Sequence, residues 1–291
     1  NSAAAAALLP EDTLDFPKPA VLVEDPKAAF ARLLEAFTPK LSFPEGVSDK
    51  AVIGKDVKLG KCTILPLAVV DDHAVVADGA VIYPHAYIGQ YAEIGEDVVV
   101  YPNATIREYC HVGARSIIHS SATVGSDGFG FTSKDGVHTK VPQVGNVVIE
   151  EDCEIGSHVG IDRAAMGSTV IGKGTKIDNL VHIGHNCKIG PGCLIVAQTG
   201  ISGSTVVGPN VTFGGQVGAV GHIKIGGNSV YAARSGIISD MPEGVFCAGF
   251  PVQSHTEWLR MQAVMKHLPQ MRKKIKELEK KLAAYEKDST D

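Results

Sequence analysis

The chain has 291 residues, 44% of them hydrophobic and only 6% aromatic, with a formal net charge of −5 and 32 glycines. There is enough apolar material for a sizeable core, but so much glycine argues against a helical globule. The mild acidity leaves no electrostatic footprint for nucleic acid, and no apolar run approaches the roughly 20 residues that cross a bilayer, so a soluble, cytoplasmic protein is expected.

The first residues, NSAAAAALLPEDTL, lack the charged leading region and the length of a secretory signal. The segment PAVLVEDPKAAFARLLEAF, 19–37, reads as a strand followed by a helix. Asp25 is its N-cap, Pro26 its first residue, and Phe30, Leu33, Leu34 and Phe37 form one apolar face. Residues 1–44 are expected to form part of a small α/β module.

From residue 45 to about 250 the chain repeats every six residues. Val70, Val76, Ile82, Ile88, Ile94, Val100, Ile106, Val112, Ile118 and Val124 keep one register. It returns at Ile149, Ile155 and Ile161, then runs from Ile171 through Ile201 and Phe213 to Ile237. Neither a helix nor a period-two strand has this spacing, whereas a parallel β-helix with three hexads per coil does. Roughly nine or ten coils of eighteen residues are predicted, stacked at the ordinary strand spacing of about 4.8 Å. Ile53, Leu59 and Ile64 extend the pattern upstream with a one-residue slip.

Two breaks interrupt the register. The longer, Ser126–Asn146, leaves between Val124 and Ile149, and long loops on a rigid solenoid are commonly functional. Its Phe129 and Phe131, flanked by glycines, are expected either to close over a ligand or to anchor the loop on a neighbouring subunit. The shorter break spans 162–170. Six scattered cysteines, none in a C-x-x-C pair, fit neither a disulfide scaffold nor a zinc ribbon and are read as reduced packing residues.

Residues 251–291 are predicted to be helical. Leu268, Met271, Ile275, Leu278, Leu282 and Tyr285 alternate spacings of three and four, the seam of a coiled coil. Lys266, Arg272, Lys273, Lys274, Lys276, Lys280 and Lys281 make the same segment basic. They are read either as a solvated face around an oligomer seam or as a docking site for an acidic partner.

The chemistry concentrates in IDNLVHIGHNCKIG, 177–190. With an eighteen-residue coil as a ruler, His185, Gly203 and His222 should line up on one side of three successive coils. A neutral imidazole can take a proton from an attacking amine or hydroxyl, and an N–H at a glycine can approach a developing oxyanion, so the column suits acyl transfer. His73, His85, His111 and His119 are read as structural, and His182 as structural or as a neighbour of the site. Zinc wants three protein ligands and an open position, and the histidine spacing does not supply them, so no metal site is predicted.

The segments GSDGFGF (125–131), GIDRAA (160–165), IDNLVHIGHN (177–186), ISGST (201–205) and VGHIKIG (220–226), in this order, resemble the UDP-3-O-acylglucosamine N-acyltransferases of lipid A biosynthesis over nearly the whole chain. The resemblance implies a left-handed parallel β-helix, a homotrimer with active sites between subunits, and no cofactor. It further implies transfer of a 3-hydroxyacyl group from acyl carrier protein, on its phosphopantetheine arm, to the 2-amino group of a UDP-3-O-acyl-glucosamine. Carried over by motif, His185 is the general base, the Gly203 amide faces the oxyanion, and His222 assists. Asp178, Asn179 and Asn186 are supporting or substrate-contacting groups, with Phe129 and Phe131 also placed at the substrate. The basic C-terminal helix then suits the acidic carrier protein. In the resembled family an N-terminal α/β domain stacks on uracil, and only what looks like its final portion is present, so no uracil contact is assigned. Two alternatives stand beside this reading: the UDP-N-acetylglucosamine O-acyltransferase of the same pathway, disfavoured by the DGFGF and IDN…HN elements, and a non-catalytic carrier-binding solenoid.

Overall fold

The structure, a computed structural model, describes residues 3–39 and 43–288, with side chains as far as residue 282; Tyr285 of the expected seam lies outside the described side chains. The chain divides into two units, 1–43 and 44–291.

In the first unit, Ala7–Pro10 pairs in parallel with Ala20–Val23, and helix α1 follows at Pro26–Phe37. The Asp25 carboxylate caps α1 by accepting from the N–H groups of Lys27 (2.8 Å) and Ala28 (3.1 Å), with proline in the first turn where no donor is needed. The Ala7–Pro10 strand has no counterpart in the sequence reading, because an alanine run carries no period-two signal.

The second unit is a left-handed parallel β-helix whose three faces carry sheets of 9, 11 and 10 strands. Most strands contribute two residues, one outward and one inward. Val100 pairs with Ile82 on one side and Ile118 on the other, and Ile183 with Ile161 and Ile201, so the inward aliphatics stack into one continuous core. A constant circumference requires a sharp turn at each corner, made by a left-handed residue three after each inward one; Asn186, Ser204 and His222, for instance, have φ of 60°, 61° and 61°. Next comes a small buried residue, usually alanine, and Cys62, Cys110, Cys153, Cys187 and Cys193 occupy this position. Burial pushes the thiols of Cys153 and Cys187 up to about 11, which keeps them neutral.

The two breaks do not disturb the stack. Val112 pairs with Ile149 across the long insertion, and Ile149 with Ile171 across the short one. The long insertion folds into an antiparallel hairpin, Phe131–Lys134 against Val137–Lys140. The upstream slip appears as pairing of Val52 and Ile53 with Val69 and Val70.

At the far end, Phe246–Ala248 adds in parallel beside Val230–Tyr231, after which Gln253–Ser254 runs back antiparallel. The Ser254 hydroxyl then caps helix α2, His255–Met265, and α3 runs from Leu268 to Asp288. Leu268, Met271, Ile275, Leu278 and Leu282 of α3 are exposed.

The largest side chains of the core are Phe213 and Tyr231, fully buried and stacked 5.6 Å apart on successive coils. Removing one ring opens a cavity that a chain of fixed circumference cannot collapse to fill. Phe213→Ala is expected to cost about 3–5 kcal/mol, read as a lower guanidinium midpoint of unfolding.

Candidate active site

His185 lies two residues beyond the inward Ile183, at the corner leaving the ten-strand face. The next residue, Asn186, takes the left-handed conformation that asparagine tolerates better than most residues. Its side chain is fully committed: Oδ1 accepts from Ala165 N–H (2.9 Å) and Nδ2 donates to the Met166 carbonyl (3.0 Å). These bonds fix which end of the amide is oxygen. His185 Nδ1 sits 3.2 Å from that oxygen and must therefore be the protonated nitrogen, which leaves the Nε2 lone pair of the neutral ring free.

The ring lies directly over Gly203. A Cβ on Gly203 would fall 2.6 Å from His185 Nε2, so the absence of a side chain there is what admits the imidazole. Among the described residues no acceptor receives the Gly203 N–H, which remains available to an oxygen from outside. Its carbonyl accepts from His222 N–H (3.1 Å). His222 stacks over Ser204 and Asn186, one residue later than Gly203 and His185, as the shared left-handed φ shows. The expected single column is thus two adjacent columns, and both open onto the same groove, of about 590 Å³.

Phe129 lines this groove and is 85% exposed. Phe131 packs edge-on against it at 5.1 Å and lies outside the groove lining. The loop between them rests on the base: a Cβ on Gly128 would fall 2.5 Å from His185 Cβ and 2.8 Å from Gln143 Oε1. Charge pairs pin the loop to the coils beneath. Asp127 meets Arg107 at 3.0 Å and also Lys140, while the buried Arg163 meets Glu108 at 2.9 Å and donates to the Gly125 carbonyl at 2.8 Å.

Asp178 and Asn179 are not in this groove, contrary to the placement expected for them beside His185. They lie at the preceding corner of the same coil and border a second groove with His119, Glu154 and Lys176. Their side-chain oxygens cap turns: Asp178 accepts from the N–H groups of Asn179 (2.7 Å) and Ala197 (3.1 Å), and Asn179 from Ser157 (2.7 Å). Asn186 likewise touches backbone and His185, a positioning role.

Several groove residues were not found by sequence reasoning. Asp162, inside the GIDRAA motif, is buried and lies 3.4 Å from His182, whose imidazole it holds above the ordinary range against the opposing effect of burial. Gly200 and Gly218 leave the floor open, with nothing within 4 Å of a Cβ built on either, and the Phe250 ring occupies the space over Gly236. Their signal was the run of glycines at outward strand positions, which reads as strand-weakening until the coils are stacked. Among the described residues no three His, Cys, Asp or Glu side chains gather as a metal site.

The family model for bacterial transferase hexapeptides (six repeats) matches residues 91–126 and 168–203. A UDP-3-O-acylglucosamine N-acyltransferase from Methylobacillus flagellatus is 46% identical over 285 residues, 97% of this chain and 81% of that one. One from Syntrophotalea carbinolica is 57% identical over 268 residues, 92% of this chain and 78% of that one. Among solved structures, a UDP-N-acetylglucosamine acyltransferase from Francisella novicida superposes with a TM-score of 0.61 at 27% identity, covering 69% of this chain and 73% of that one.

The closeness of His185 to Gly203 gives a direct test of the geometry. Gly203→Ala is expected to push the imidazole aside and lower acyl transfer about a hundredfold, with the circular dichroism spectrum of the folded protein retained; unchanged turnover would show that the ring position is not critical.

Proposed function

The chain belongs to the UDP-3-O-acylglucosamine N-acyltransferases, and we propose that its acyl transfer takes place in the groove of His185, Gly203 and His222. The observation that carries this reading is the Asn186 amide, which holds the proton on His185 Nδ1 and so presents a bare Nε2 to the groove.

In this reading the acceptor is the 2-amino group of a UDP-3-O-acyl-glucosamine. The donor is a 3-hydroxyacyl thioester on the phosphopantetheine arm of acyl carrier protein, a substrate rather than a resident cofactor. His185 Nε2 removes a proton from the amine as its nitrogen bonds to the thioester carbon. The carbonyl oxygen gains negative charge and is met by the Gly203 N–H, a donor already in place before the reaction. Collapse of the tetrahedral species breaks the carbon–sulfur bond, and the proton on Nε2 passes to the departing thiolate. A base of this kind contributes about 10²- to 10⁴-fold and one oxyanion donor about 10²- to 10³-fold. His222, on the neighbouring column, assists from the far side, and Phe129 covers the substrate.

N-acylation is favoured over O-acylation by identity: the N-acyltransferase relatives reach 46% and 57%, against 27% for the Francisella novicida UDP-N-acetylglucosamine acyltransferase. His185→Ala is expected to lower transfer to the amino sugar at least a hundredfold in a mass-spectrometric assay; a rate equal to that of the parent chain removes His185 from the mechanism.

The exposed apolar positions of α3 suit association of the C-terminal helices in a homotrimer, and its lysines and arginines suit the acidic carrier protein in the cytoplasm. Reversing Lys273, Lys274 and Lys276 to glutamate is expected to lower kcat/KM about tenfold for a carrier-bound donor while leaving a pantetheine-bound donor unaffected. Equal losses for both donors would rule out helix docking.

A further inference from the structure

Across five successive coils the outward position of the ten-strand face carries Gly160, His182, Gly200, Gly218 and Gly236, paired one above another. The His182 imidazole is the one side chain on that floor. Behind it stands Asp162, 6% exposed, its Oδ2 3.4 Å from His182 Nε2. Among the described residues no other donor reaches that carboxylate. The buried Arg163 next to it, by contrast, is tied to Glu108 and to the Gly125 and Glu108 carbonyls. A buried charge needs compensation, and here compensation comes from a half-exposed ring in the groove wall. The coil stack itself has no use for the pair.

We propose that the Asp162–His182 pair is the receptor for the hydroxyl group of the 3-hydroxyacyl donor, which makes His182 a specificity-determining residue. This inference rests on the acyl-transfer reading of the groove. The reacting carbonyl is fixed at His185 and Gly203. The chain beyond it has open floor over Gly200 and Gly218, flanked by Val220 and Ile238 and ended by Phe250, an apolar trough for an alkyl tail. The polar feature of this floor sits at the end nearest the reacting carbon, where a 3-hydroxyacyl chain carries its polar substituent. With Nε2 turned to Asp162, His182 Nδ1 stands over Gly160, where even a Cβ would be 3.3 Å away, and donates to the hydroxyl oxygen. The hydroxyl proton goes to Asp162, which also lines the groove. A hydroxyl is both donor and acceptor, and the pair meets it in both roles.

The test is calorimetric binding of 3-hydroxydecanoyl-pantetheine against decanoyl-pantetheine. The parent chain is expected to prefer the hydroxylated compound at least about tenfold, because a polar site left unpaired rejects the analogue that lacks the partner group. His182→Ala is expected to bind the two equally. His182→Gln, which keeps a neutral donor and avoids a wholly uncompensated Asp162, is expected to retain part of the preference. Asp162→Asn is expected to weaken the preference and to lower the His182 pKa, read from its imidazole resonances. A parent chain without preference, or an undiminished preference in His182→Ala and Asp162→Asn, overturns the proposal. Because the readout needs no acceptor, failure of transfer to the UDP sugar would overturn the proposed acceptor and leave the hydroxyl preference to be judged by itself.

Discussion

A coil that must close after eighteen residues leaves little freedom in which polar groups meet. The inward aliphatics stack because each sits at the same point of successive turns, and burying them drives the whole solenoid together. Every residue between two inward positions is thereby assigned a direction, outward on a face or at a corner. The candidate active site adds nothing to this frame except the choice of side chains. An imidazole at one corner position, a glycine one coil away, and a second imidazole one residue further on are brought together by arithmetic, and the packing holds them there.

Glycine is what lets the arithmetic become a groove. The ring of His185 requires an absent Cβ at Gly203 and another at Gly128, while the floor requires absent side chains at Gly200 and Gly218. Against this emptiness stand a few heavily tied groups. Arg163 is only 5% exposed and binds both the start of the long insertion and Glu108, so the loop carrying Phe129 departs from a fixed point. Asn186 spends every polar atom of its side chain on orienting the base and the backbone of the short break. The site is thus rigid where a proton is handled and open where a chain is to lie.

The period of six was legible from the inward residues alone, and with it the faces, the two breaks and the meeting of His185 with Gly203. The one-residue offset of His222 was not, because the ruler of eighteen points to Gly221 and only the corner geometry shows that residue 222 stacks over Ser204. Asp178 and Asn179 were placed by motif rather than by turn. Seven residues separate Asp178 from His185, slightly more than one side of the triangular cross-section, so the two occupy different corners. The approach of Asp162 to His182 was hidden by the short break, which displaces the pairing of Gly160 to His182 from the usual interval. The Ala7–Pro10 strand escaped because its pairing with Ala20–Val23, not its own composition, makes it a strand.

A stack of parallel strands is by nature open-ended, and its last rung offers unpaired amide and carbonyl groups to any further copy. On the eleven-strand face the chain answers with Gln253–Ser254, which runs against the direction of every rung before it and leads at once into α2. An incoming solenoid in matching orientation would meet a backbone of opposite polarity there, so end-to-end fibre growth is blocked at that edge by a reversal of two residues.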